Sequence, residues 1–390
     1  MNKKIQLLLF SLLLLGAGSL RAAIDVTNLR TEQLKNPLGI DTRQPRLGWR
    51  IESDEQNVMQ TAYHILVASS PELLAQGKGD MWDSGKIETD ASQWITYQGE
   101  PLKCNAPYYW KVKVYTNKGE ANWSNPAFWS MGLFNEADWR GQWIGLDRAA
   151  PGDSETQWSR LAARYLRKEF ALKKEVKRAM VHVAGMGLYE LFINGQRIGD
   201  QVLAPAPTDY RKTILYNTYD VTSQLQKENA IGVTLGNGRF YTMRQNYKPY
   251  KIPTFGYPKL RLNLIVEYTD GNKETIVSDI SWKLTTEGPV RSNNEYDGEE
   301  YDARKELGNW TLTGYDDKGW TPAQRVSIPS GTLRAQMMPG MKVTETLKPL
   351  SIKKLGDKYI MDTAKIWQDG YASVSKVRQA TVFAFISQSV

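Results

Sequence analysis

Three groups of side chains in this sequence have types and spacing that could do chemistry. The densest is acidic: Glu295, Asp297, Glu299, Glu300 and Asp302 fall within eight residues. Paired carboxylates are the common acid and base of hydrolytic chemistry, but only when their environments drive their proton affinities apart. Alternating acids beside Arg304 fit a solvated, salt-bridged loop or strand edge better, and the cluster is not read as catalytic. A calcium ion would take oxygens of this kind, yet nothing else in the sequence calls for one, and no cofactor is expected. The second group is Cys104 with His182, a formal thiol–imidazole pair. An isolated cysteine at a strand end is the simpler account. With only His64 and His182 in the chain, histidine-rich metal sites are excluded. The third group follows a Gly-Asn-Gly turn: Asn237, Arg239, Tyr241 and Tyr247 combine an amide, a cation and aromatic rings. Such a set could bind hydroxyls and stack on a sugar ring.

The elements that would position these groups are strands. Short alternating segments recur between clusters of Gly, Asn, Asp and Pro, and no long amphipathic helix interrupts them. The 13 Trp and 20 Tyr of the 390 residues suit β-sheets and, in smaller part, sugar-binding surfaces. The net charge of +8 does not point to nucleic acid. Lys3, Lys4 and Arg21 supply three of those charges and the last 27 residues a net two, leaving three for the body with no basic stripe or nucleic-acid motif. At the N-terminus, Lys3-Lys4 precedes an apolar run from Ile5 to Leu15 and then small residues. This is the pattern of a signal peptide over residues 1–23, cleaved after Ala22 or Ala23. The run is too short for a comfortable membrane span, and it holds no cysteine for a lipid anchor. Export to the periplasm or the exterior is the expectation, with no membrane span.

Within the body, Tyr63 to Ala68 reads as a strand. Tyr108 to Tyr115 reads as another, with Trp110, Val112 and Val114 on one face and Lys111, Lys113 and Tyr115 on the other. Asn117-Lys118-Gly119-Glu120 is a turn, and Trp123-Ser124 and Phe128-Trp129-Ser130 lead to a last strand. A first domain is placed at 24–133. A second, at 138–326, opens on Trp139 to Gly145. In it, Leu188 to Ile193 alternates and meets Asn194-Gly195, a dipeptide that readily takes the two positive φ angles of a type I′ hairpin turn. Asn229 to Leu235, Arg261 to Tyr268 (with the turn Asp270-Gly271-Asn272) and Trp282 to Leu284 continue the sheet, and Gly319 to Ala323 closes it. A third piece begins near Met337 and carries strand signals through Thr363. The fold class is therefore all-β: tandem β-sandwiches, the last incomplete.

The motifs add up to a resemblance. The Tyr-Trp-x-Val-x-Val strand and Trp-Ser step resemble a fibronectin type III domain, and the second domain resembles a galactose-binding-like jelly roll. Arg46-Leu47-Gly48-Trp49, Trp82-Asp83-Ser84-Gly85 and Tyr108-Tyr109-Trp110 resemble the front module of bacterial α-L-rhamnosidases. Tyr189 to Gly195, Thr208-Asp209-Tyr210, Tyr219 to Thr222, Leu235 to Gly238 and Gly298 to Arg304 resemble that family's N-terminal domain. Each motif is weak alone; their order over residues 25 to 363 carries the resemblance. It implies an inverting hydrolase that removes terminal L-rhamnose, so rhamnose-containing glycans are the implied partners. It also implies a catalytic (α/α)₆ barrel beyond this chain, whose two carboxyls would stand roughly 6.5–9.5 Å apart. No catalytic residue can be carried over. Against that background, packing of Arg239 and Tyr241 on the domains that follow is preferred to sugar binding. A secreted lectin or adhesion module, and a plain spacer, are the competing classes, since sandwich folds host all three.

After Asp362-Thr363 the family's strand pattern decays. Shifted by one nucleotide, codons for Lys365 to Tyr371 can read Lys-Asn-Met-Ala-Gly-Trp-Leu, which restores it. The expectation is a frameshift near Ala364, with 364–390 an out-of-frame tail. Resequencing the gene from codon 355 onward checks this. A one-nucleotide change that restores Asn-Met-Ala-Gly-Trp and opens onto a barrel supports it; an intact frame with nothing related downstream removes it.

Overall fold

The computed structural model describes residues 24–150, 161–241, 255–294, 298–346, 351–355, 358–362 and 374–375. The segment 1–23 expected to be a signal peptide, Tyr247, Glu295, Asp297 and all of residues 364–390 except 374–375 lie outside the described residues. Almost everything described is strand, loop or turn. Among the described residues no helix is long and apolar enough to cross a membrane.

The first module is a sandwich. One sheet joins β1 (Ile24–Thr31), β2 (Arg46–Ser53) and β5 (Ile95–Thr96). The other is built on β3 (Gln60–Ala68) and β6 (Pro107–Thr116). β4 (Trp82–Glu88) flanks β3, and β7 (Gly119–Glu120) and β8 (Ala127–Ser130) pair with β6. Between β3 and β4 lies the short helix α1 (Pro71–Ala75), started by Ser70, whose hydroxyl accepts the Leu73 N–H at 3.3 Å. β6 alternates as its sequence predicts. Tyr108, Trp110, Val112 and Val114 are buried, and Tyr109, Lys111, Lys113 and Tyr115 are half-buried. The inner set meets Leu47 and Trp49 of β2, Ile65 and Val67 of β3, and Trp129 of β8 in one core. Each such side chain contributes about 1.5–3 kcal/mol by leaving water.

The second module is larger. Its first sheet runs β13 (Gln196–Arg197), β12 (Leu188–Ile193), β15 (Glu228–Gly236), β10 (Arg164–Ala171), β18 (Lys283–Thr285), β21 (Thr321–Pro322). Its second runs β22 (Gln324–Arg325), β9 (Ile144–Gly145), β16 (Lys259–Tyr268), β11 (Val176–Met186), β14 (Thr213–Asp220), β23 (Thr332–Ala335), with β17 (Lys273–Val277) also on β16. The predicted hairpin is present: Asn194 and Gly195 have φ of 49° and 81°, and Ile193 faces Gln196. Leu166, Leu191, Ile231 and Val233 of one sheet interlock with Val181, Val183, Leu262 and Leu264 of the other, and Trp282 fills the core beside β18. β19 (Val290–Asn294) and β20 (Gly298–Tyr301) form a separate ribbon. β24 (Ser351–Leu355), β25 (Lys358–Asp362) and β26 (Val374–Ser375) form a small third sheet.

β11 differs from β6 in having no exposed face: every residue from Ala179 to Met186 is buried. Its odd-numbered side chains enter the sandwich core. On the other side Ala184 and Met186 join Leu133, Trp139, Trp143, Tyr216 and Val326 in a second apolar layer, and His182 lies edge-on to Trp139 and Tyr216. Here the two modules join. Asn105 of the first module accepts from Arg178 at its backbone oxygen (2.7 Å) and contacts His182 Nε2 through its side-chain oxygen (3.0 Å). His182 Nδ1 lies 2.9 Å from the Thr218 hydroxyl. Tyr216 Oη donates to the Leu133 carbonyl (3.0 Å) and accepts the Leu133 N–H (2.9 Å). Gly39 lies so close to β14 that a Cβ there would fall 2.0 Å from Thr218 Oγ1.

An amide oxygen on one nitrogen and a hydroxyl on the other suit a neutral imidazole protonated at Nε2. Burial, aided by the Arg178 charge, lowers the His182 pKa to about 3. The unfolded chain takes up that proton near the ordinary value of 6.5 while the folded chain does not, so this contribution is whole above 6.5 and is lost as pH falls toward 3. Urea unfolding from pH 6.5 downward should therefore show a loss of about 1.4 kcal/mol per pH unit that His182→Gln lacks. Equal slopes in the two proteins would mean that His182 is not held neutral.

Candidate functional site

The turn after β15 gathers three of the four candidate sugar-binding residues. Asn237 closes it: its carbonyl accepts the N–H groups of Phe240 (3.1 Å) and Tyr241 (3.2 Å), and Gly238 takes a φ of 51°. The Asn237 side chain points inward, 2 % exposed, and donates to the Leu161 carbonyl at 2.7 Å. Its N–H donates to Asn293 Oδ1 at 2.7 Å. One asparagine thus ties the end of β15 to the approach to β10 and to the β19 ribbon. Arg239 is exposed. Tyr241 is buried and stacks on Tyr257, centroids 5.5 Å apart. Tyr210, from the Thr208-Asp209-Tyr210 motif, braces the turn edge-on against Phe240 and Phe255, both at 5.2 Å. Tyr247, the fourth residue, lies outside the described residues. Of the described three, Arg239 alone faces solvent, so this turn is chiefly a structural clasp. Asn293 and Tyr257 are the members the sequence did not reveal; nothing in their spacing links them to Asn237.

The other two groups are placed as follows. Asp302 opens a short 3₁₀ turn and holds Arg304 through two hydrogen bonds of 2.7 Å, which lowers its pKa to about 2. Glu299 sits on an exposed ribbon, where partial desolvation and the charge of Glu190, itself paired with Arg197 at 3.1 Å, push its pKa upward. Glu300 lies beside it on β20, and Tyr301 bonds Glu306. Among the described residues no group of three His, Cys, Asp or Glu could hold a metal ion. Burial, with the Asp138 charge, raises the Cys104 pKa to about 11, so its thiolate is scarce at neutral pH. The imidazole nearest in sequence logic, His182, is committed to Asn105 and Thr218. None of this supplies a nucleophile with its base.

The geometry thus defines a class: a pair of β-sandwiches joined by hydrogen bonds and a shared apolar layer, with ordered turns. Residues 26–135 match the family profile of the Rha78A-like N-terminal immunoglobulin domain, and residues 174–345 that of the alpha-L-rhamnosidase N-terminal domain. The chain belongs to the N-terminal, β-sandwich part of the α-L-rhamnosidase family. An alpha-L-rhamnosidase of Formosa agariphila is 37% identical over 384 residues, spanning 91% of this chain and 40% of its own length. One from an Alteromonas species is 33% identical over 85% of this chain and 36% of its own. The solved alpha-L-rhamnosidase of Dictyoglumus thermophilum superposes with a TM-score of 0.77 at 38% identity, over 87% of this chain and 38% of that one. The chain therefore spans well under half the length of these relatives.

Removing the Asn237 side chain takes out a buried hydrogen bond and leaves the Leu161 carbonyl unpaired. Asn237→Ala should destabilise the protein by about 1–3 kcal/mol. Denaturant titration of the variant checks this; an unchanged midpoint would contradict the clasp.

Proposed function

We propose that this chain is the non-catalytic N-terminal region of an exported α-L-rhamnosidase that acts on rhamnose-containing glycans. The observation that carries the reading is one of coverage. The similarity takes in nine-tenths of this chain but only two-fifths of the Formosa agariphila enzyme, and the described part of the chain is built almost wholly of strands, turns and loops. The acid and base that invert a glycosidic centre belong, on this reading, to the helical barrel implied by the family and following these sandwiches. The sandwiches give that barrel a rigid neighbour, with the two modules fixed by Asn105, His182 and Tyr216 rather than hinged.

Export rests on the sequence of residues 1–23, a basic start, an apolar run and small residues before Ile24. The cysteine count agrees with it: Cys104 has no intramolecular partner, so folding in an oxidising compartment needs no pairing.

The purified 390-residue chain should release no product from a chromogenic α-L-rhamnoside above the buffer rate, and its secreted form should begin at Ala23 or Ile24. Steady turnover that survives repurification would overturn the non-catalytic reading. A mature N-terminus still at Met1 would overturn export.

A further inference from the structure

We propose that the outer face of the β1–β2–β5 sheet is a binding site for an anionic saccharide, one carrying a carboxylate or a sulfate ester. The proposal rests on the carbohydrate-active reading above and adds a site and a ligand charge to it.

The face follows from strand parity. Leu47 and Trp49 of β2 enter the core, so Arg46, Gly48 and Arg50 point outward. Across the ladder, Thr27 pairs with Arg50 and Arg30 with Gly48, with a bulge between them at Asn28 and Leu29. The result is a cleft of about 320 Å³ lined by Asn28, Arg30, Gln33, Arg50 and Gln93. Gly48 makes room for it: a Cβ there would meet the Gln93 amide at 2.6 Å, where Gln93 reaches over to donate to the Trp49 carbonyl (2.7 Å).

The lining is rich in donors and short of acids. Arg30 donates Nε to Asn28 Oδ1 at 2.8 Å, which leaves its two terminal nitrogens and the Asn28 amide nitrogen for a ligand. Among the described residues neither Arg30 nor Arg50 forms an ion pair. Of the nearby acids, Glu32 is paired with Arg46; Glu52, two residues past Arg50 on the same face, accepts from Thr27 and faces Asp25 at the far end of the strand pair, and neither lines the cleft. Two guanidinium groups in a cleft whose lining holds no carboxylate form a fork for a planar or tetrahedral anion.

A ring platform stands next to this fork. Trp94 follows Gln93 directly and is 54% exposed, whereas most other tryptophans among the described residues are buried. Its backbone sits at φ 60°, an outlier for a bulky side chain. Asn28, Glu32 and Gln33 on the same face share the left-handed conformation, at 50°, 52° and 63°. The indole is held from below. Buried Glu32 grips Arg46 with contacts of 2.6 to 3.2 Å, and the Arg46 guanidinium lies 4.5 Å from the Trp94 ring centroid. Glu32 and Arg46 are thus positioning residues, and Trp94 offers a preorganised apolar plane of the kind that covers a sugar face. Amides, a flat ring and unpaired guanidinium groups together fit an acidic sugar better than a neutral one.

The test is calorimetric titration of the full 390-residue chain with four probes: a rhamnose–uronate disaccharide, its carboxyl-reduced form, a rhamnose sulfate ester, and free L-rhamnose. The acidic probes should bind at least about tenfold more tightly than the neutral ones, and Arg50→Ala and Trp94→Ala should each weaken them about tenfold. Both side chains are exposed, and unchanged urea midpoints would show that the variants remain folded. Tighter binding of the uronate or of the sulfate identifies which anion the fork prefers, and either supports the site. Equal affinity for acidic and neutral probes, unaltered binding by both variants, or no saturable binding of an acidic probe would overturn it. Rhamnoside turnover is scored separately, so turnover by this chain would remove the reading in the preceding section and leave these ratios untouched.

Discussion

The architecture depends on a stretch of sheet, centred on Ala179–Met186 of β11, that has no wet face. Here β11 and its neighbours β14 and β16 pack one side into the sandwich core, so each buried polar group on the other side must find a protein partner or go unsatisfied, at a cost of about 1–3 kcal/mol each. His182, Asn263, Arg261 and Tyr216 are those groups. Their partners come from outside the sheet. Asn105 of the first module faces His182, Leu133 of the connection takes Tyr216, and Gly141 supplies an N–H to Asn263 Oδ1 (2.8 Å) and a carbonyl to Arg261 Nε (2.7 Å). The hydrogen-bonding needs of one sheet thereby fix both the path of the connection and the seat of the neighbouring module.

This constraint explains the Trp139-Arg140-Gly141-Gln142-Trp143 segment, which by sequence alone is only a domain opening. Trp139 lies edge-on to Tyr216 at 5.2 Å and its carbonyl accepts from Arg261, whose guanidinium also stands 5.5 Å from the indole centroid. Gly141 passes so close to β16 that a Cβ would meet the Leu262 carbonyl at 2.3 Å. The two tryptophans therefore roof the second apolar layer, and the glycine lets the backbone lie flat on the strand.

What the sequence made legible follows from the same physics. Strands wet on one face, such as Pro107–Thr116, display their period of two directly, and Asn194-Gly195 announces its hairpin because few dipeptides tolerate two positive φ angles. Covered strands such as Val176–Met186 lose that period, and the role of His182 is invisible because Asn105 lies 77 residues away. The parallel pairing of Thr213–Asp220 with Thr332–Ala335 is equally non-local. At the candidate turn, residue types pointed to Asn237, Arg239 and Tyr241. Which of them face solvent depends on Leu161, Asn293 and Tyr257, contributed by separate parts of the chain.

The arginine–tryptophan face of the first module escaped the sequence for a different reason. Arg46 and Arg50 are the polar half of an alternating strand, and nothing in the spacing of Trp94 sets it apart from the tryptophans that fill the core. Their meaning changes only when the backbone is seen to turn Trp94 outward against its own steric preference, with a buried carboxylate holding the arginine beneath it. Burying Glu32 costs desolvation, which the Arg46 pair offsets locally. A fold that needed only a polar exterior here could leave Glu32, Arg46 and the left-handed residues out. Their concentration in one patch, while most other indoles of the module fill the core, separates this face from ordinary solvated strand surface.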